Sequence, residues 1–137
     1  MTPDELAEIH GASFTFAPRP WSADEIASIL ASPNTKLIEL PQGFAIYRTA
    51  GPEAELLTIA VYPDSRRQGI ASKLLHTLHK SAEKLGVEEV FLEVSEKNSG
   101  ARALYEAHGY SSVAVRKDYY DGPNGQKIGA LVMSRPI

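Results

Sequence analysis

The stretch Ile59 to Leu75, IAVYPDSRRQGIASKLL, decides the fold. An apolar strand, Glu55 to Val61, runs out at Tyr62-Pro63 and a polar turn follows. Beyond the turn, Ala71, Leu74, Leu75, Leu78, Ala82 and Leu85 recur at helical spacing, with Gly86 placed to end the helix. A strand followed by a helix of this length calls for a parallel neighbour reached by a crossover, and Val90 to Ser95 supplies it.

On the N-terminal side, Asp4 to Ser13 reads as a helix with Leu6 and Ile9 on one face. A second helix opens at Ser22, where Ser22 and Glu25 form a capping box ahead of Ile26, Ile29 and Leu30, and Pro33 ends it. The period then changes to two over Leu37 to Leu40 and Phe44 to Thr49, so these strands and Glu55 to Val61 are expected to form a meander. On the C-terminal side, Ser99 to Ala107 is a short helix closed by Gly109. Strands Tyr110 to Arg116 and Ile128 to Ser134 flank a polar loop that contains Asp121-Gly122 and Asn124-Gly125. The expected architecture is a single α+β domain, residues 1–137, with a mixed central sheet of about six strands and helices on both faces.

Composition narrows the function. At 137 residues and 14.9 kDa the chain has room for one domain, and its net charge of −3 argues against coating nucleic acid or anionic lipid. With no cysteine, a thiolate metal site, a disulfide and a cysteine nucleophile are all excluded. No apolar run approaches the roughly 18 residues of a membrane span, and Met1 to His10 is acidic where a secretory signal is basic and then apolar. A cytoplasmic protein, monomeric or weakly dimeric, is the expectation.

The turn Arg66-Arg67-Gln68-Gly69-Ile70-Ala71-Ser72 suits a phosphate. A helix start leaves backbone N–H groups unpaired at the positive end of the dipole, Gly69 and Ala71 permit close approach, and two arginines add forked donors. Gly69 is followed by Ile70 and not by Lys-Ser or Lys-Thr, so this is no Walker A loop, and a single glycine is no dinucleotide fingerprint. The same residues also fit an ordinary helix start with solvated arginines. His76 and His79, three apart on the long helix, lack a further ligand for zinc and read as solvated. No G-x-S-x-G elbow occurs.

Arg-x-x-Gly-x-Ala after a strand ending in Ala-Val resembles the acetyl-coenzyme A motif of the GNAT superfamily of N-acetyltransferases, and LEVSEKNSGARALYEAHGY, Leu92 to Tyr110, is similar to that superfamily's next strand and helix. Within it, Arg19-Pro20-Trp21-Ser22, Arg116-Lys117-Asp118-Tyr119-Tyr120 and Ala130-Leu131-Val132-Met133 with Pro136-Ile137 resemble the ribosomal-protein-alanine N-acetyltransferases. Two departures stand out. Met1-Thr2-Pro3 leaves no length for the strand with which that family opens, and Lys127-Ile128-Gly129-Ala130 stands where the family carries an acidic residue before its last strand.

The resemblance implies acetyl transfer from acetyl-CoA, with no metal, to a protein or peptide N-terminus, the N-terminal alanine of a small-subunit ribosomal protein above all. It implies Glu93 as general base, through a water, and Tyr105 as general acid for the departing thiolate. It assigns the cofactor to Ile59, Ala60 and Val61, to Arg66, Arg67, Gln68, Gly69, Ile70, Ala71 and Ser72, and to Asn98, with an oxyanion donor near Val61 where the strand leaves regular pairing. Tyr119 and Tyr120 would line the acceptor cleft. Each residue also has a structural explanation: Glu93 on a polar strand face, Tyr105 in the core, Asn98 as a helix cap, Tyr119 and Tyr120 covering a sheet edge. Glu53 and Glu55 are alternative bases. A small-molecule amine acetyltransferase and a CoA-binding module without turnover are the rival functions.

Overall fold

In the computed structural model, which describes residues 1–13 and 21–137, the elements run α1 (Pro3–Ser13), α2 (Ala23–Ala31), β1 (Thr35–Leu40), β2 (Gly43–Ala50), β3 (Glu53–Val61), α3 (Ile70–Lys84), β4 (Glu89–Ser95), α4 (Ser99–Ala107), β5 (Ser111–Asp121) and β6 (Lys127–Pro136). Arg19 and Pro20 of the segment singled out above lie outside the described residues. The strands form one sheet of order β1-β2-β3-β4-β6-β5, antiparallel except for the β3–β4 pair, which the α3 crossover makes parallel. Among the described residues, no helix is long and apolar enough to cross a membrane.

Helices cover both faces. The α3 stripe of Leu74, Leu75, Leu78 and Ala82 packs with α4 onto Ala45, Tyr47, Leu56, Leu92 and Met133. On the other face Leu6 and Ile9 of α1 and Ile26 of α2 meet Phe44, Ile46 and Ala60. Phe44 to Tyr47 is apolar without a break because β2 is buried on both faces there. The capping box is formed: Ser22 Oγ accepts from Glu25 N at 3.1 Å and Glu25 Oε1 from Ser22 N at 3.3 Å.

Three expectations are corrected. Lys117 to Asp121, assigned to the loop, continue β5: Gly122 N donates to Gln126 O at 2.7 Å and Asp121 pairs with Lys127, so only Gly122 to Gln126 is left as a turn. The extra length is absorbed by a register shift between Arg116 and Tyr120, with Asp118 at φ 54°. Leu85 caps α3 beyond the last packed turn and is 51% exposed. His79 is buried and not solvated, because it sits one helical turn from both Leu75 and Ala82 on the core stripe.

Two stability predictions follow from this packing. A Cβ on Gly43 would lie 2.5 Å from the backbone oxygen of Ala60, so Gly43→Ala forces β2 away from β3 and should cost about 2 kcal/mol, read as a lower denaturant midpoint. Burial holds both His10 and His79 down at about 4, against 6.5 for an exposed histidine. The unfolded chain therefore binds more protons than the native one between those values. Stability should be intact above about pH 6.5 and fall as the pH drops toward 4, and His79→Gln should flatten that slope in a pH series of urea melts.

Candidate active site

β3 and β4 pair only from Glu53↔Glu89 to Leu56↔Leu92. Past that row β3 stays with β2 as far as Val61↔Gly43, and β4 stays with β6 as far as Ser95↔Ala130, so the sheet parts in its middle. The interruption lies earlier than expected. The register shift of β3 against β2 falls at Leu57, opposite Ile46 and Tyr47, while near Val61 the change is the loss of β4 as a neighbour. Tyr62 N donates to Gln42 O at 2.9 Å, so alternation along the strand turns the peptide groups of Ile59 and Val61 away from β2 and toward the gap.

The gap is a cleft of about 420 Å³, bordered by Ile59, Ala60 and Val61 on one side and by Glu93, Ser95, Asn98 and Tyr105 on the other. Val61, Arg66, Ala71 and Leu104 also border a hollow of about 210 Å³ over the start of α3, which makes the two one continuous channel. At that start Arg67 and Gly69 are left-handed, with φ of 63° and 74°. Among the described residues no side chain caps α3, whereas Ser22 caps α2 and Asn98 Oδ1 caps α4 by accepting from Ala101 N at 3.1 Å. Successive amides of the first turn thus face the hollow, as in an anion-binding nest.

The predicted cofactor residues divide accordingly. Arg66 borders both parts of the channel, and Arg67, Gly69, Ala71 and Ser72 border the hollow. Ile70 also borders the hollow although it is 5% exposed and belongs to the core, and Gln68 stands outside the walls. Ser72 Oγ shares a hydrogen bond of 3.0 Å with His108 Nε2.

Glu93 sits on the first row past the parting, its side chain 27% exposed, and Oε1 accepts from Arg116 Nη1 at 2.6 Å. The Arg116 guanidinium lies 3.8 Å over the Tyr119 ring, which meets Tyr120 edge-on at 4.9 Å. Burial, with Glu93 adding, pushes the Tyr120 phenol up to about 12. Tyr119 and Tyr120 flank Glu93 through this cluster without entering the cleft wall. Tyr105 of α4 borders the cleft, 7% exposed, and burial raises its phenol well above the ordinary value. Glu53 and Glu55 stand where β3 and β4 are still paired; they border a neighbouring groove with Phe91 and Val132, which shares Leu92 and Glu93 with the cleft, and Glu55 is tied to Arg48 at 3.0 Å.

Sequence reasoning missed Arg116 as a partner of Glu93, and His10 and Trp21 as cleft residues. His10 Nδ1 accepts from Trp21 N at 3.0 Å and the two rings stack at 4.7 Å. The capping box fixes where Trp21 enters α2, but nothing local in the sequence signals its pairing with α1.

A mixed sheet that opens between its parallel strands beside an uncapped helix start is an acyltransferase architecture. The chain matches the Acetyltransferase (GNAT) family over residues 5–110 and belongs to that family. It is 42% identical over 94 residues to the ribosomal protein bS18-alanine N-acetyltransferase of Escherichia coli K12, a match covering 69% of this chain and 63% of that protein. It is 44% identical over 103 residues to the protein of the same name from Haemophilus influenzae, covering 74% and 70%. The match thus spans a little under two thirds of the length of the Escherichia coli relative. The crystal structure of the Escherichia coli ribosomal-protein-S18-alanine N-acetyltransferase superposes with a TM-score of 0.85 at 34% identity, over 96% of this chain and 84% of the other.

Proposed function

We propose that the chain transfers the acetyl group of acetyl-CoA to a primary amine, and that the acceptor is the N-terminal alanine of a small-subunit ribosomal protein, in the cytoplasm. The observation that carries this is the parting of β3 from β4, with Glu93 and Tyr105 together on the wall that faces Ile59 to Val61, and a channel running from both to the left-handed turn before α3. The names of the two bacterial relatives support the choice of acceptor.

The residues fit the donor. The amides of Gly69 to Ser72 with Arg66 and Arg67 would hold the pyrophosphate, the peptide groups of Ile59 and Val61 the pantetheine arm, and Asn98 its amide through Nδ2, since Oδ1 is engaged in the cap. Acetyl-CoA, when bound, supplies a thioester acyl group. An α-amino group with a pKa of about 8 must lose a proton before it can attack, and Glu93 accepts it, directly or through one water. Arg116 orients the Glu93 carboxylate and Tyr119 buttresses Arg116. A peptide N–H near Val61 donates to the carbonyl oxygen as charge develops on it. Tyr105, protonated throughout by virtue of its raised pKa, donates to the departing sulfur.

The test is an acetyl-CoA turnover assay with a short peptide that begins with alanine, set against free amino acids, polyamines and aminoglycosides. Transfer to the peptide is the expected result. Activity confined to the small amines would replace the acceptor, and cofactor binding without turnover would remove the catalytic reading.

A further inference from the structure

Against Tyr105, and outside the cleft wall, lies a buried polar pair that the proposed chemistry leaves unused. His79 of α3 is 8% exposed and Tyr110, just past the close of α4, is 3% exposed; His79 Nε2 and Tyr110 Oη share a hydrogen bond of 2.7 Å. Burial keeps His79 neutral near pH 7, with Arg135, His108 and His76 opposing its charge as well. Tyr110 touches Tyr105 twice. Its ring meets the Tyr105 ring edge-on, centroids 5.8 Å apart at 62°, and its backbone N–H donates to Tyr105 O at 3.0 Å.

We infer that His79 and Tyr110 are positioning residues that aim the Tyr105 phenol into the cleft, an inference that rests on the acid role proposed for Tyr105. An apolar pair such as Leu and Phe would fill this space without desolvating a phenol and an imidazole. What the hydrogen bond adds is position: it pins the far end of the Tyr110 ring to α3, and the edge-on contact then limits where the neighbouring Tyr105 ring can lie. The anchor is α3, the helix whose N-terminus faces the channel, so the phenol is held in register with the surface that grips the donor. Ser72 and His108 make a second tie between the same two helices.

The experiment measures kcat and KM for acetyl-CoA with an alanine-initiated peptide, for the wild type, Tyr110→Phe, His79→Leu, His79→Gln, Tyr105→Phe and the Tyr105→Phe/Tyr110→Phe double variant. Each is assayed at a temperature where circular dichroism shows it folded. Tyr110→Phe and His79→Leu should lower kcat about tenfold with KM for acetyl-CoA unchanged, and His79→Gln, whose amide can still pair with Tyr110, should recover most of the rate. In the Tyr105→Phe background Tyr110→Phe should cost nothing further, because nothing is left to aim. Unchanged kcat in Tyr110→Phe, or a loss that persists in full in the double variant, overturns the inference while leaving the role of Tyr105 standing. Unchanged kcat in Tyr105→Phe itself overturns that role, and the inference falls with it.

Discussion

Tyr105→Phe lowers kcat for acetyl transfer about 100-fold, with KM for acetyl-CoA and the melting temperature close to those of the wild type. The substitution keeps the ring, its burial and its edge-on contact with Tyr110, and deletes only the phenol oxygen of a residue that borders the cleft. The departing thiolate then has no phenol to meet, and solvent reaches a buried site poorly. The raised pKa makes a second part of the prediction. Because burial keeps the proton on Tyr105 well past the ordinary phenol range, ionisation of this residue should place no alkaline limb on the wild-type rate profile up to about pH 10. Steady-state kinetics over pH with a defined peptide measures both, and a kcat within threefold of the wild type would remove Tyr105 from the mechanism.

Gly69→Trp abolishes acetyl-CoA binding. A Cβ at Gly69 meets nothing within 4 Å, and Gly69 borders the hollow, so an indole carried there is expected to occupy the space a pyrophosphate needs. Its φ of 74° adds backbone strain of about 1–2 kcal/mol for any L side chain, which lowers stability modestly and also reshapes the amide nest. Isothermal titration with acetyl-CoA should show affinity weakened at least about 100-fold, against a melting point lowered by only a few degrees. Arg66→Ala, which removes one cation and leaves the turn intact, should weaken binding far less, about tenfold. Wild-type affinity in Gly69→Trp would place the donor elsewhere.

The framework was legible because its signals are local. The stripe from Leu74 to Ala82, the Ser22–Glu25 box and the period-two runs each report on their own segment, and the crossover rule makes the β3–β4 pair parallel. The turn from Arg66 to Ser72 was legible for the same reason. What escaped depends on partners distant in the chain. Arg116 reaches Glu93 across 23 positions, and His79 meets Tyr110 across 31, so neither contact leaves a periodic trace. His79 read as solvated because it lacks partners for a zinc site, although its helical position already placed it among Leu75, Leu78 and Ala82. The prolonged β5 hairpin was hidden because Asp121-Gly122 and Asn124-Gly125 mark a turn without marking where its strands begin, and the register shift around Asp118 leaves no local signal.

A sheet that divides midway is mechanically two half-sheets hinged at the Leu56–Leu92 row. Load applied at the lower end is shared by every strand, while the upper ends of β3 and β4 can spread independently. A ligand lying between them acts as a tie, and occupancy at 100 times its dissociation constant adds about 2.7 kcal/mol to the folded state. Amide exchange should therefore slow most at Ile59 in the saturated protein, with Ala54 and Leu56 scarcely affected.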